Sequence, residues 1–423
     1  MTPLHVRAWH LLMLGLLASS ALQADWEYRA HIGLDSQLYV AHPNDKHANN
    51  FTLEQQLELA YSKDAYKLAA RLYAQQDSYD ATDEKNGRTF ARLDELYVQY
   101  ELENGLLFGG KNIRFWGALE AYNPVDAFDT VEFRSDLLDE QREGSWNVAY
   151  SYYTQTGEIA LIIKLHENAW QMAKYPYVYD FLPEFVHFDN KLEREEGFYP
   201  TIYLKWSGSS ESTYPLDYAV IAQHGYDSQR YFSADTPLNG INNSFKANVY
   251  VVDKLLTYHT MVVGDTLLKL EATATHVHDD PLMLGGLHVK DYYQLGMGFE
   301  HTLVGILEDA DLGVIGEYYR YDTFKHGDEV ADDLALFQIF QNDLFTGLRY
   351  SFNDAASSSL LAGAVIDLEY AEQSYRIEYE TRLFDVLSLK ADWAYINPSK
   401  HTQSAYAMLQ RHQRFGLNIA YYF

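Results

Sequence analysis

The sequence contains no cysteine among its 423 residues and only 10 prolines. The missing cysteine excludes a disulfide framework, a cysteine–zinc site and a thiol nucleophile. Basic residues are also scarce, with 32 Lys and Arg against 60 Asp and Glu, which gives a formal charge of −28. Such a charge opposes binding to nucleic acid. We therefore expect no nucleic-acid partner, and nothing in the composition implies a cofactor.

Long apolar runs are missing as well, apart from one short run near the start of the chain. Arg7 precedes the run from Leu11 to Leu17, and small residues lead up to Ala24. This run is far shorter than the ~20 residues of a spanning helix, and the order of charge, apolar run and small residues is typical of a secretory signal. Cleavage after Ala24 would leave the bulky Leu22 at the minus-three position, so the cleavage site stays open. We predict a signal peptide at residues 1–24 and a single domain at residues 25–423.

Aromatic residues, in contrast, are abundant: tyrosine occurs 36 times and aromatics make up 15% of the chain. Tyrosine and tryptophan collect at membrane interfaces, where one end of the ring meets apolar groups and the other meets water. The last residues alternate strictly, with one apolar face formed by Phe415, Leu417, Ile419, Tyr421 and Phe423. A terminal strand needs both edges paired, which a closed membrane barrel provides. The alternative is an amphipathic strand of a soluble sandwich.

Similar amphipathic segments recur eighteen times between Tyr28 and Phe423, and short connections alternate with long ones, except that a short linker stands at Ala371–Ser374 where a long one is due. A soluble sandwich has no reason to sort its loops in this way, whereas outer-membrane barrels have short periplasmic turns and long external loops. The predicted fold is all-β: a closed antiparallel transmembrane β-barrel of about 18 strands (16–18). Charged faces such as Lys269 and Glu271 are expected to line the lumen, because a charge facing lipid costs ~2–4 kcal/mol.

The third long connection, residues 114–145, carries the most specific pattern. A strand ending in Gly110 and Lys111 is followed by Trp116-Gly117 and then by Asn123-Pro124-Val125-Asp126. This string resembles a recurring pattern of porin-like bacterial outer-membrane families. The C-terminal strand, with Tyr421 and Phe423 as the expected assembly signal, resembles the signature that the barrel-assembly machinery reads.

The resemblance implies a channel or export barrel whose third loop folds inward. Carboxylates at a constriction favour cations, so the loop predicts a cation preference. Asn-Pro-x-Asp is also a turn-forming string, and a loop-fixing role is the alternative to solute contact. The candidate constriction residues are Arg114, Trp116, Glu120, Asn123, Pro124, Asp126 and Asp129.

The fourth loop is unusually apolar for a connection. Large exposed apolar patches mark interaction sites, so the loop is a candidate vestibule for amphipathic or ring-shaped solutes; the alternative is packing inside the barrel mouth or against lipopolysaccharide. The candidate vestibule residues are Trp170, Tyr175, Tyr177, Tyr179 and Phe181.

The sequence carries no recognisable catalytic signature. No Gly-x-Ser-x-Gly occurs, and we expect no enzyme activity. We expect no metal site. His276 and His278, followed by Asp279 and Asp280, are the candidate ligands if one exists, and the alternative is that these polar groups hold water. We therefore predict an outer-membrane channel for small solutes, reached by Sec-type export, whose partners are lipid, lipopolysaccharide, the barrel-assembly machinery and the solutes. The alternatives are a barrel that moves a hydrophobic or amphipathic molecule with periplasmic partners, and a plugged binding or adhesion barrel. Whether the barrel is a monomer or a trimer stays open.

Overall fold

Antiparallel strands make up most of the protein. The computed structural model describes residues 26–40, 49–78, 80, 87–134, 141–172, 186–193, 199–234, 243–278, 288–306, 309–324, 338–399, 406 and 409–423. The predicted signal peptide lies outside the described residues and stays a prediction. No helix in the described part of the chain is long and apolar enough to cross a membrane.

The strands follow one another as the alternating pattern predicts. They are β1 (Trp26–Tyr39), β2 (Asn49–Lys63), β3 (Tyr66–Asp77), β4 (Phe90–Leu102), β5 (Gly105–Asn112), β6 (Thr130–Phe133), β7 (Gln141–Glu143), β8 (Ser145–Thr154), β9 (Gly157–Lys164), β10 (Gln171–Met172), β11 (Val186–Glu193), β12 (Thr201–Ser210), β13 (Leu216–Tyr226), β14 (Tyr231–Ala234), β15 (Asn243–Asn248), β16 (Val251–Val263), β17 (Thr266–Val277), β18 (Tyr292–Ile306), β19 (Ala310–Thr323), β20 (Asn342–Ser351), β21 (Ser359–Asp367), β22 (Gln373–Leu383), β23 (Leu387–Asn397) and β24 (Arg414–Tyr422).

Eighteen of these strands form one barrel, in which each strand pairs with its neighbours along the chain. The first and last strands close it: Leu34 lies opposite Ile419, and the terminal Phe423 exchanges two backbone hydrogen bonds with Ala30, at 3.0 and 2.9 Å. The predicted closed antiparallel barrel and its strand number are therefore confirmed. Closure leaves no unpaired edge at the terminal strand, which is why the alternation persists to the last residues.

The remaining six strands belong to the long connections, and the alternating pattern did not predict them. β6, β7 and β10 form one small sheet, and β11, β14 and β15 form another. The apolar alternation alone predicts a strand that begins at Thr257, whereas β16 begins at Val251. The third residue of β16 is Asp253, whose charged side chain lies on the outer face and interrupts the apolar alternation.

The two faces of the barrel differ sharply in polarity. Outward side chains such as Leu34, Leu204 and Leu255 are about half exposed, as expected of a surface that meets lipid. Inward side chains include Tyr203, Ile221 and Leu256, which are almost fully buried. Burial inside so wide a barrel requires something to cover these residues, and the connection between β5 and β8 provides it.

Candidate functional site

Residues 113–129, here called the inward segment, leave β5 and lie against the inner wall of the barrel. Trp116 packs at ring-centroid distances of 5.7 Å from Phe128 and 5.4 Å from Tyr203 of β12. Val125 and Phe128 are fully buried with Ile221 and Leu256 on the same wall. This apolar packing holds the segment against β9, β12, β13 and β16.

Beyond this apolar contact, a carboxylate of the wall binds the backbone of the segment. Glu271 of β17 accepts hydrogen bonds from the backbone N–H of Ala118 at 2.6 Å and of Leu119 at 3.1 Å, and from that of Val125 at 3.5 Å. Its side chain is fully buried. A carboxylate that accepts several backbone N–H groups replaces the partners that an irregular segment lacks.

A second carboxylate, two strands further along the barrel, also accepts hydrogen bonds from the backbone of the segment. Glu317 of β19 accepts from the N–H of Glu120 at 2.8 Å and of Ala121 at 3.1 Å. The hydroxyl of Tyr319 accepts from the N–H of Tyr122 at 3.2 Å. The segment therefore spans the lumen from β5 to β19 along one side of the barrel.

Between the two carboxylates, Leu119 fits against strand β18 because that strand has glycine there. A Cβ added at Gly296 would lie 2.4 Å from Cδ1 of Leu119. On its other side Leu119 packs with Ile315, Tyr319 and Phe345. Gly296 thus allows the close approach of segment and wall.

The Asn-Pro string fixes the turn of the segment on itself. The side-chain Oδ1 of Asn123 accepts from the N–H of Leu119 at 3.1 Å, and its carbonyl accepts from the N–H of Asp126 at 3.1 Å. Gly117 has φ +130°, and a Cβ there would lie 2.3 Å from Oδ1 of Asn123. Pro124 is buried. In these contacts Trp116, Asn123 and Pro124 shape the segment and its docking.

Two of the predicted acidic residues are covered rather than exposed to the lumen. Asp126 pairs with Arg142 at 2.9 Å, and Asp129 accepts from the N–H of Arg114 at 2.5 Å. Burial raises the pKa of Asp129 well above its usual range. The guanidinium of Arg114 lies over Phe108 and donates to Asn147 at 3.0 Å. These groups therefore stabilise the segment on the side that is turned away from the open lumen.

Glu120, in contrast, stays on the open side of the segment. Its side chain is 26% exposed and pairs with Arg349 of β20 at 2.5 Å, and Arg349 also pairs with Glu300 at 2.6 Å. Among the predicted acidic residues, Glu120 therefore has the most direct access to the remaining lumen.

The wall opposite the segment carries charged, partly exposed side chains. Arg71 pairs with Glu58 at 3.1 Å and with Glu95 at 3.3 Å, and the Arg71 and Glu58 side chains are 32% and 34% exposed. Glu378 pairs with Arg376 at 2.8 Å and with Lys390 at 3.1 Å. Solvent therefore reaches this wall, which runs from β22 through β24 and β1 to β4.

The other predicted site residues are scattered. Trp170 packs on Phe133 at 4.9 Å between ring centroids, and the other vestibule candidates (Tyr175, Tyr177, Tyr179 and Phe181) lie outside the described residues. Tyr421 and Phe423 face outward, with ring centroids 6.0 Å apart. His276 bonds Asp291, whereas His278 bonds Asp253; Asp279 and Asp280 lie outside the described residues.

Sequence reasoning did not identify Glu271 and Glu317 as anchors of the segment. Both occupy lumen-facing positions of regular strands, where a carboxylate looks like any other pore charge. Glu271 lies 152 residues after its donor Leu119, and Glu317 lies 197 residues after its donor Glu120. One local signal was present: Gly296 and Gly298 interrupt β18 with small residues on the lumen side.

Comparison with known proteins agrees with this architecture. No family model matches the sequence, and no curated protein matches it. The chain is similar to the solved structure of OccK8 (OprE) of Pseudomonas aeruginosa, with a TM-score of 0.51 and 9% identity over 94% of this chain and 98% of that one. It is similar to OccK3 (OpdO) of the same organism, with a TM-score of 0.50 and 10% identity over 97% and 99%. OmpT of Vibrio cholerae, described as expressed in the outer membrane, matches with a TM-score of 0.47 and 10% identity over 95% and 99%.

At these identities the first two likenesses show the fold alone. The fold is that of a porin-like outer-membrane β-barrel. The description of the inward segment rests on the contacts of this chain alone.

Proposed function

We propose that the protein is an outer-membrane channel through which small solutes diffuse, with the inward segment as its constriction. The observation that carries the proposal is the contrast between the two sides of the lumen. Glu271 and Glu317 are covered by the segment and almost fully buried. Arg71 and Glu58, on the opposite wall, keep about a third of their side-chain surface exposed. The passage runs between the segment and this open wall.

A preference for cations is the second part of the proposal. Glu120 borders the passage from the segment side. On the open wall, Arg71 of β3 lies opposite Glu58 of β2 and Glu95 of β4, and Glu54 adds a further carboxylate on β2. An excess of carboxylates around a narrow, partly desolvated passage favours cations over anions. The buried Asp126 and Asp129 contribute to the shape of the constriction.

The cellular setting completes the proposal. Residues 1–24 direct Sec-type export, and the short turns face the periplasm while the long connections face outward. The barrel-assembly machinery reads the terminal strand with Tyr421 and Phe423, and lipid and lipopolysaccharide contact the apolar outer face. Diffusion through a charged passage involves no catalytic step.

Single-channel recording in a planar bilayer with a salt gradient tests the proposal. We expect steady conductance with a reversal potential that indicates cations, and Glu120→Gln should move that potential toward zero. The matched control is Glu211→Gln, which removes the same charge from the exposed turn after β12 and should leave the potential unchanged. Equal shifts in both variants would contradict the assigned constriction.

Absence of ionic current from folded protein would contradict the proposal that the barrel is a channel. That result would favour the plugged binding or adhesion barrel, or the transporter of an amphipathic molecule. Folding is checked separately by the gel-mobility shift between unheated and heated samples, so that absence of current is not mistaken for absence of protein.

A further inference from the structure

A cluster of imidazoles and one carboxylate lies on the outer face of the barrel, away from the lumen. His224 of β13 stands directly opposite Asp253 of β16 in the sheet register. Asp253 in turn stands opposite His276 of β17, and His278 follows two residues later. Three adjacent strands therefore bring these side chains to one spot, although the chain separates them widely.

The nitrogen and oxygen atoms of the cluster converge. Nδ1 of His224 lies 2.7 Å from Oδ1 of Asp253, and Nε2 of His278 lies 2.9 Å from Oδ2 of Asp253. One ligand atom from each of the three residues lies within 4.8 Å of the others. The three side chains are 50%, 53% and 36% exposed, in the order His224, Asp253 and His278. An ion can therefore reach them from solvent.

We propose that His224, Asp253 and His278 bind one divalent transition-metal ion of the Zn²⁺ type. Zn²⁺ binds imidazole nitrogen and carboxylate oxygen at about 2.0–2.2 Å, which places the ligand atoms of a tetrahedral site about 3.3 Å apart. The separations of His224 from Oδ1 and of His278 from Oδ2 of Asp253 need to widen by only about half an ångström to reach that value. Rotation of exposed side chains supplies such a change.

The surroundings of His224 fit the role of a ligand. When Nδ1 binds a metal, Nε2 must carry the proton and needs an acceptor. The hydroxyl of Tyr199 lies 2.9 Å from this Nε2. Metal-bound histidines generally direct their second nitrogen to such a partner, which fixes the ring orientation.

The ligand types also discriminate among metals. Mg²⁺ and Ca²⁺ prefer sets of oxygen ligands, whereas imidazoles favour Zn²⁺, Cu²⁺ and Ni²⁺. Below the cluster, Ile202, Leu204 and Leu255 line the same groove with apolar side chains. The site thus lies at the border between the apolar band and the polar rim, where a bound ion would join β13, β16 and the end of β17.

Calorimetric titration of the untagged, detergent-folded protein with Zn²⁺ tests the proposal, with Mg²⁺ as the comparison ion. We expect one saturable Zn²⁺ site per chain and no comparable Mg²⁺ binding. His224→Gln, Asp253→Asn and His278→Gln should each weaken Zn²⁺ binding by roughly tenfold or more. The matched control is His301→Gln, on the outer face of β18, where the histidine bonds Thr266 at 2.9 Å; its affinity should equal that of the unchanged protein.

Absence of saturable Zn²⁺ binding would overturn the proposal, and so would equal affinity in the cluster variants and the His301 control. Co²⁺ titration of the unchanged protein gives a readout that does not depend on the folding of a variant. Intense visible absorption indicates a tetrahedral site that includes protein ligands, and the weak spectrum of the hydrated ion contradicts it.

Discussion

The buried carboxylate of Glu271 should control how firmly the inward segment is held. Glu271→Ala removes the acceptor of two well-formed backbone hydrogen bonds, those from Ala118 and Leu119 at 2.6 and 3.1 Å, and of a longer one from Val125. The rest of the segment's apolar packing on the wall is left in place. The variant therefore isolates the anchoring carboxylate.

The expected magnitude follows from these contacts. A hydrogen bond to a charged group contributes about 1.5–3 kcal/mol, so two of them give about 3–6 kcal/mol. Water that enters the space left by the side chain satisfies some of the freed N–H groups, which favours the lower end. A loss of about 3 kcal/mol corresponds to a roughly hundredfold larger population of segments detached from the wall.

Hydrogen exchange measured by mass spectrometry reports that population for the peptide that spans the segment. We expect roughly hundredfold faster exchange there in Glu271→Ala, and an intermediate effect in Glu271→Gln, which keeps a neutral acceptor. The control is Glu101→Ala, which removes a lumen-facing carboxylate at the C-terminal end of β4. If the segment exchanges equally fast in Glu271→Ala and Glu101→Ala, the anchoring argument is refuted.

Three further predictions concern the support of this segment and of the barrel mouth. Gly296→Ala should loosen the segment by about 1–3 kcal/mol, because the new Cβ would overlap Leu119; adding Leu119→Ala should restore slow exchange in part. Asp129→Asn should raise thermal stability at neutral pH. Burial raises the pKa of Asp129, so its ionisation destabilises the fold as the pH rises from the usual pKa toward the raised one, and this loss should be absent in the variant. Lys254→Met should lower thermal stability by about 3–5 kcal/mol, because it leaves buried Asp227 without its cation at 2.6 Å; adding Asp227→Asn should recover part of it.

The barrel itself was predictable because a single physical rule acts on every strand. Lipid on one side and water on the other force a period of two, and the pattern is legible in each strand separately. The local alternation alone predicts that Leu268 faces outward and Lys269 faces the lumen, and the structure agrees. Strand ends were less predictable, as at β16, where an outward Asp253 sits beyond the apolar band.

The docking of the inward segment was not predictable because its determinants are distant in sequence. Leu119 is one apolar residue of a loop, and Gly296 is one glycine of a strand; only their contact in space gives either a role. The same holds for the metal-site proposal, in which His278 joins His224 rather than its sequence neighbour His276. Local motifs predicted that these stretches matter, and the register of the barrel decides which residues meet.

The wall carboxylates also explain how an irregular segment can lie inside a barrel at all. Residues 113–129 form no regular strand, so their N–H groups need partners, and the backbone of the wall is already committed to its own ladder. Only inward side chains remain as acceptors, one at every second residue of each strand. A carboxylate offers two oxygens at one such position, and Glu317 uses one oxygen for Glu120 and the other for Ala121. Replacement of Glu317 by Gln leaves one acceptor oxygen where the structure uses two, so this anchor depends on both oxygens of the carboxylate and not merely on a polar side chain.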